Sequence, residues 1–220
     1  MITVVLAEAP MEQTMERLTT SEAAVAAGVS IPQIHRIIDE RILPEDLYST
    51  RLTRTFRVEA SVLIAFYFET ADSLTAQARI RTIRNARARC SNWQEWENCT
   101  VEDQSVKVAF SSIWKAVDAR LSQIRKARQM VVNDPEILAG TPVIRGTRIP
   151  VYHIATLFDS GTPVDQILKS YPSLESWQIE LASIYARALP SRGRPKRAAV
   201  PAGAKLSSVK KQLRTSLIGV

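Results

Sequence analysis

The chain has little of what catalytic or extracellular proteins rely on. Two cysteines, Cys90 and Cys99, stand in 220 residues. They are too few and too oddly spaced for a disulfide framework or a zinc site, so two inert thiols in a reducing cytoplasm are expected. There are two histidines, His35 and His153, and each reads as a surface or hydrogen-bonded structural residue. No H-x-x-x-H, C-x-x-C, G-x-S-x-G or G-x-x-x-x-G-K-[ST] pattern occurs. The adjacent carboxylates Glu45-Asp46 and Glu102-Asp103 look like solvated turns. Nothing approaches the ~20 apolar residues of a membrane helix. The short run Ile2 to Ala7 lacks the basic flank and the length of a signal peptide. These absences predict a soluble cytoplasmic protein that is not an enzyme, with no metal and no cofactor.

Acidic residues also stop at Glu180. Nine cations follow it, more than the whole formal net charge of +7, so the first 180 residues are slightly acidic. Such a basic end suits an anionic partner, either nucleic acid or an acidic protein pocket; a solvated end with no fixed partner is the competing reading.

What is present is sharpest at Asn133 to Val151. Two glycines, three prolines and two arginines sit among short apolar pieces. Gly140 and Gly146 can supply positive φ, while Pro142 and Pro150 push Thr141 and Ile149 toward extended geometry. Val143-Ile144 and Thr147 to Val151 read as short extended pieces. The result is a hairpin-like arm closed at Gly146 and running into a helix near Pro150, with Arg145 and Arg148 presented to a partner. Three helices follow: Tyr152 to Phe158, one capped by Thr162 with Pro163 at its first position, and one capped by Ser173 running to Ala188. Trp177, Leu181, Ile184 and Tyr185 of the last are expected to face inward.

Asp134, Pro135, Ile137, Gly140, Pro142 to Ile144 and Gly146 to Val151, continued by Ser160, Gly161, Ile167, Leu168, Tyr171, Pro172 and Leu174, carry a resemblance. The stretch 131–189 resembles the bacterial domain-of-unknown-function family 433. That family is similar to helix-turn-helix folds, and its members commonly act as antitoxins beside nuclease-like toxins with a PIN-type fold. The resemblance implies a trihelical unit and a cognate toxin as partner.

An independent pattern lies near the start. Thr20 or Ser21 can cap a helix, Gly28 ends it, and Ser30 caps a second helix with Pro32 in its first turn. Ala24, Gly28, Val29 and Ile34 occupy the small, turn and apolar places of a helix-turn-helix, a generic helical hairpin being the alternative. Arg54 to Val58 alternates like a short strand, and Val58 to Phe68 reads as a buried helix. Residues 18–68 resemble the winged DNA-reading head of MerR-like regulators, in which the second helix enters the major groove. Gln33, His35 and Arg36 are the candidate base or phosphate readers, and Arg41, Arg54 and Arg57 the candidate phosphate contacts.

Between these ends, Ala71 to Cys90 is a basic helix whose arginines spread round it, which suits a solvated or dimer-packing helix as well as a nucleic-acid surface. Trp93 and Trp96 fill core or an interface. Ser105 to Phe110 could be a strand. The helix 111–130 carries the stripe Ile113, Val117, Leu121 and Ile124, which must bury against something, a second copy being one choice. Ser191 to Arg197 resembles an AT-hook, with Arg192, Arg194, Lys196 and Arg197 suited to an A·T-rich minor groove. The same arginines could instead plug the acidic site of a nuclease.

The expected fold is mainly α with short β pieces. A helix-turn-helix-like domain spans 1–70, a helical connector and dimerisation region 71–130, a trihelical family 433 domain preceded by a β-arm 131–189, and a basic tail 190–220. The expected function is that of an antitoxin that binds a PIN-like toxin and its own operator DNA, as a homodimer. A stand-alone MerR-like regulator is the alternative.

Overall fold

The computed structural model describes residues 17–103 and 106–191, so Arg192, Arg194, Lys196 and Arg197 lie outside the described residues. The protein is mainly helical with short strands.

The head begins at β1 (Arg17–Thr19), which runs directly into α1 (Thr20–Ala27). The cap is Thr19, one residue earlier than the sequence suggests. Its side chain accepts from the Glu22 N–H, and the Glu22 carboxylate accepts from the Thr19 N–H at 2.9 Å. Strand pairing of Thr19 with Thr55 holds Thr19 extended, which is the geometry a cap requires. Gly28 ends α1 at φ 72°, donating back to Ala24 and Val25. Ser30 caps α2 (Ile31–Asp39), with Pro32 in its first turn, as expected.

A five-residue loop joins β2 (Tyr48–Ser49) to β3 (Thr55–Arg57), and β3 lies between β1 and β2 in an antiparallel sheet. Leu18 and Phe56 meet in register and are fully buried. The next helix, α3 (Val58–Glu69), is apolar almost all round and is buried accordingly.

After it come α4 (Ala76–Arg89), a 3-10 turn over Trp93–Asn98, the hairpin β4 (Thr100–Asp103) and β5 (Val106–Ala109), and α5 (Ser111–Met130). The stripe on α5 does not wait for a second copy. Ile113, Val117, Leu121 and Ile124 are buried within this chain against the head, while Ala127 and Met130 enter a second core. One 20-residue helix thus serves as the spine of both cores. Trp96 is fully buried and meets Phe110 edge-on, whereas Trp93 lies against Trp114 in a tilted pair.

The basic character of α4 is partly structural. Arg79 is buried, donates to the Tyr67 carbonyl at 2.6 Å and lies over the Tyr67 ring. Arg87 pairs with Asp46, so this carboxylate is not merely a solvated turn, and Arg89 donates to the Thr100 carbonyl. The expectation of two free thiols fails: Cys90 and Cys99 are disulfide-bonded. The 3-10 turn between them folds back around Trp96 and brings their Cα atoms to 6.7 Å, which a distance of nine residues along the chain did not reveal.

The second core gathers β6 (Val131–Val132) paired with β7 (Val143–Ile144), then α6 (Val151–Asp159), α7 (Val164–Ser170) and α8 (Ser176–Ala188). The two expected caps fail. Pro163 stands before α7, and Glu175 caps α8 in a box with Gln178. Ser173 lies in the tight turn that delivers buried Leu174, so helical geometry starts only after it. α8 packs on α6, on α5 and on α1, tying the ends of the described chain together.

Glu22 links the same parts. It is 1% exposed, closes the α1 cap, and forms an ion pair with Arg128 near the end of α5. Arg128 is itself 39% exposed and can rehydrate. Glu22→Ala is therefore expected to lose mainly the cap and its hydrogen bonds, about 1–2 kcal/mol, by urea unfolding. An unchanged midpoint would show that this junction carries no stability.

Candidate nucleic-acid interface

The outward face of α2 is set by its apolar face. Ile34 and Ile37 are buried, which turns His35 and Arg36 to solvent. Arg36 pairs with Glu40 at 2.8 Å, one turn on, and that carboxylate raises the guanidinium pKa further. Both side chains are about half exposed, so the pair can open toward a phosphate at little cost. Gln33 is occupied differently: its Oε1 accepts from the Ser30 N–H at 2.8 Å and from the Ser30 hydroxyl. Its amide belongs to the helix cap before it belongs to any base. Arg41 is exposed just past α2, in left-handed geometry at φ 49°.

The β2–β3 loop carries Arg51, Leu52, Thr53 and Arg54, all exposed, with Leu52 entirely so. Arg17 on β1 reaches across the sheet to the Thr55 hydroxyl at 3.3 Å. Arg17 and Arg51 were not among the sequence candidates. The signal for Arg51 was its place in the R-L-T-R-T-F-R run, which reads as a loop and strand only once β2 is known. Arg57 does not join this surface. It lies in a bridge with Glu59 at 3.1 Å, the two side chains 14% and 8% exposed, and that carboxylate raises its pKa. Its freedom to reach a phosphate is correspondingly small.

At the other end, Gly146 turns the arm at φ 77°, as its position demanded. Arg145 and Arg148 are both exposed, and Arg145 Nε donates to the Gln129 carbonyl at 3.0 Å. Trp177 corrects the sequence reading. It is 47% exposed, with its indole N–H donating to Glu175 at 2.7 Å, whereas Leu181 and Tyr185 do face inward and Ile184 is partly buried between the two cores. His153 is hydrogen-bonded to the Tyr171 hydroxyl at 2.8 Å, which fits a structural role. Burial pushes the Tyr152 and Tyr185 phenols above their ordinary pKa.

Among the described residues, no group of three or more His, Cys, Asp or Glu side chains converges in a way that could hold a metal ion. Nor is any helix among them long and apolar enough to cross a membrane. A cleft of about 650 Å³ lies where the α1–α2 turn meets α5 and α8, lined by Gly28, Val29, Arg120 and Arg187 among others. The Arg120 guanidinium sits 2.9 Å from where a Cβ on Gly28 would be.

The family model for the protein of unknown function DUF433 matches residues 131–186. An uncharacterized protein of Sinorhizobium fredii, y4eO, is 42% identical over 194 residues, covering 85% of this chain and 88% of its own length. No solved structure matches.

Proposed function

This chain belongs to one family with the Sinorhizobium protein, and from that premise we propose that it is an antitoxin of a toxin–antitoxin pair. In this reading residues 17–69 form a winged helix-turn-helix: α1, the Gly28 turn and α2 present His35 and Arg36 to the major groove. The β2–β3 loop, with Arg51 and Arg54, is the wing that rests on the phosphates. The DUF433 segment faces the cognate PIN-like toxin through Arg145 and Arg148. The observation that carries the reading is the joining, in one chain, of that C-terminal family match to an N-terminal pair of capped helices followed by a basic hairpin. The chain performs no bond chemistry of its own. If it forms a homodimer on its operator, the interface must be some face other than the α5 stripe, which is already covered.

Two measurements test this. The product of the adjacent reading frame, co-expressed with the tagged full chain, should co-purify with it and lose nuclease activity in the complex. Binding to a duplex from the upstream region should weaken steeply with salt, the logarithm of the affinity falling by about 0.9 per phosphate contacted for each unit of log salt. Arg54→Ala should lower that slope by about one and leave the melting temperature unchanged, because Arg54 is exposed. An unaltered slope would remove the hairpin from the DNA account. Duplex binding without any bound neighbour would instead favour a stand-alone MerR-like regulator. Turnover of a substrate by the isolated chain would defeat both readings.

A further inference from the structure

The first turn of α8 holds a tryptophan that the core does not take. Trp177 is 47% exposed, although the rest of this helix buries Ile179, Leu181, Ala182 and Tyr185. It lines a shallow groove of about 370 Å³ with Met130 and Leu181 as apolar neighbours and Lys126 and Arg145 as cations. The indole is not loose, since its N–H is held by Glu175 at 2.7 Å. Arg145 is fixed too: its backbone N–H donates to the Met130 carbonyl at 2.8 Å and its Nε to the Gln129 carbonyl. Its two terminal guanidinium nitrogens make no hydrogen bond to the described residues. Lys126 is exposed and forms no ion pair with any described residue.

A pre-oriented tryptophan beside a fixed arginine is the composition that dominates protein–protein binding energy, because a rigid aromatic loses little entropy when buried. We propose that this groove is the site where the partner toxin docks, receiving a segment that places carboxylates around one apolar side chain. The apolar side chain covers Trp177, Met130 and Leu181, and the carboxylates meet Arg145 and Lys126. Two cations around an apolar floor suit a short acidic peptide segment better than a nucleic-acid backbone, whose regular phosphates call for a longer cationic track. The source of the segment rests on the antitoxin reading; the chemistry of the groove does not.

The experiment uses the full chain, Trp177→Ala and Lys126→Glu, titrated calorimetrically with the product of the adjacent reading frame. Trp177→Ala should weaken binding by about thirtyfold or more, the loss typical of a central aromatic anchor. Lys126→Glu should weaken it several-fold, and more at low salt than at high. Lys126→Glu should melt like the parent, because Lys126 is exposed, and Trp177→Ala should melt only modestly lower and stay fully folded at the titration temperature, because half of its indole is already in water. If the neighbour binds the parent and both variants equally, the groove is not the docking site, although the antitoxin reading stands. If the neighbour does not bind the parent at all, that reading fails, and a synthetic peptide alternating glutamate and leucine decides the groove. Saturable binding of that peptide, lost in Trp177→Ala, would support the acidic-segment proposal. No binding, or a preference for a single-stranded oligonucleotide that stacks on Trp177, would overturn it.

Discussion

Arg57→Ala is expected to destabilise the protein by about 2–4 kcal/mol, far more than it perturbs any contact with DNA. The substitution removes the cation and leaves Glu59, 6% exposed, inside the fold. The pair is about nine-tenths shielded from water, so solvent cannot easily replace the lost guanidinium. A buried carboxylate without its partner retains its desolvation cost and loses the compensation. For a chain of this size the melting temperature should fall by roughly 10 °C. The comparison that matters is with Arg54→Ala, three residues away and fully on the surface. That variant should melt like the parent and bind duplex less well. If Arg57→Ala melts normally and loses only DNA affinity, then the Glu59 bridge is not structural and Arg57 returns to the DNA-contacting set.

Phe110→Ala carries the other large expected effect. Phe110 is fully buried, its ring 5.1 Å from that of Phe66 and 5.5 Å from that of Trp96. Its backbone N–H donates to the Cys99 carbonyl at 2.9 Å, just before α5 begins. One side chain therefore joins α3 of the head, the 3-10 turn inside the disulfide loop, and the start of the spine helix. Truncation leaves a cavity that none of these elements can close without moving the others, so about 3–5 kcal/mol should be lost. Far-ultraviolet dichroism and tryptophan fluorescence should report one shared transition at a lower temperature. A loss below about 1 kcal/mol would mean that the two regions relax independently, and separate transitions for the two signals would mean that the head and the spine are not one cooperative unit.

Helix positions were legible where local chemistry is self-sufficient. Gly28, Ser30 and Pro32 placed the turn between the first two helices because left-handed glycine, a capping hydroxyl and an N-terminal proline each act within a few residues. Gly146 and Pro150 fixed the arm for the same reason. Caps went wrong where tertiary contacts choose the first helical residue. Thr19 caps α1 because a strand holds it extended, and Glu175 caps α8 because Leu174 is drawn into the core.

The candidate site was half legible. Exposure of His35 and Arg36 follows from the spacing of Ile34 and Ile37, and burial on one face dictates exposure on the other. Which cations are engaged cannot be read that way. Arg36 holds Glu40, Arg57 holds Glu59, Arg79 is stacked on Tyr67 and Arg87 reaches Asp46. A guanidinium on a long stem can point to solvent or fold back, and only the neighbours decide.

The sequence by itself determined the order of helices, the two glycine turns, the amphipathic stripe of residues 111–130 and the match of residues 131–186 to the DUF433 family model. Those features are written in spacing, and spacing is a one-dimensional property. Tertiary structure alone decided that the stripe is covered within the same chain, that Cys90 meets Cys99, that Arg57 is held by Glu59 and that Trp177 is half exposed. Each depends on which distant element arrives at the same place, and apolar burial records how much surface must be hidden without recording against what.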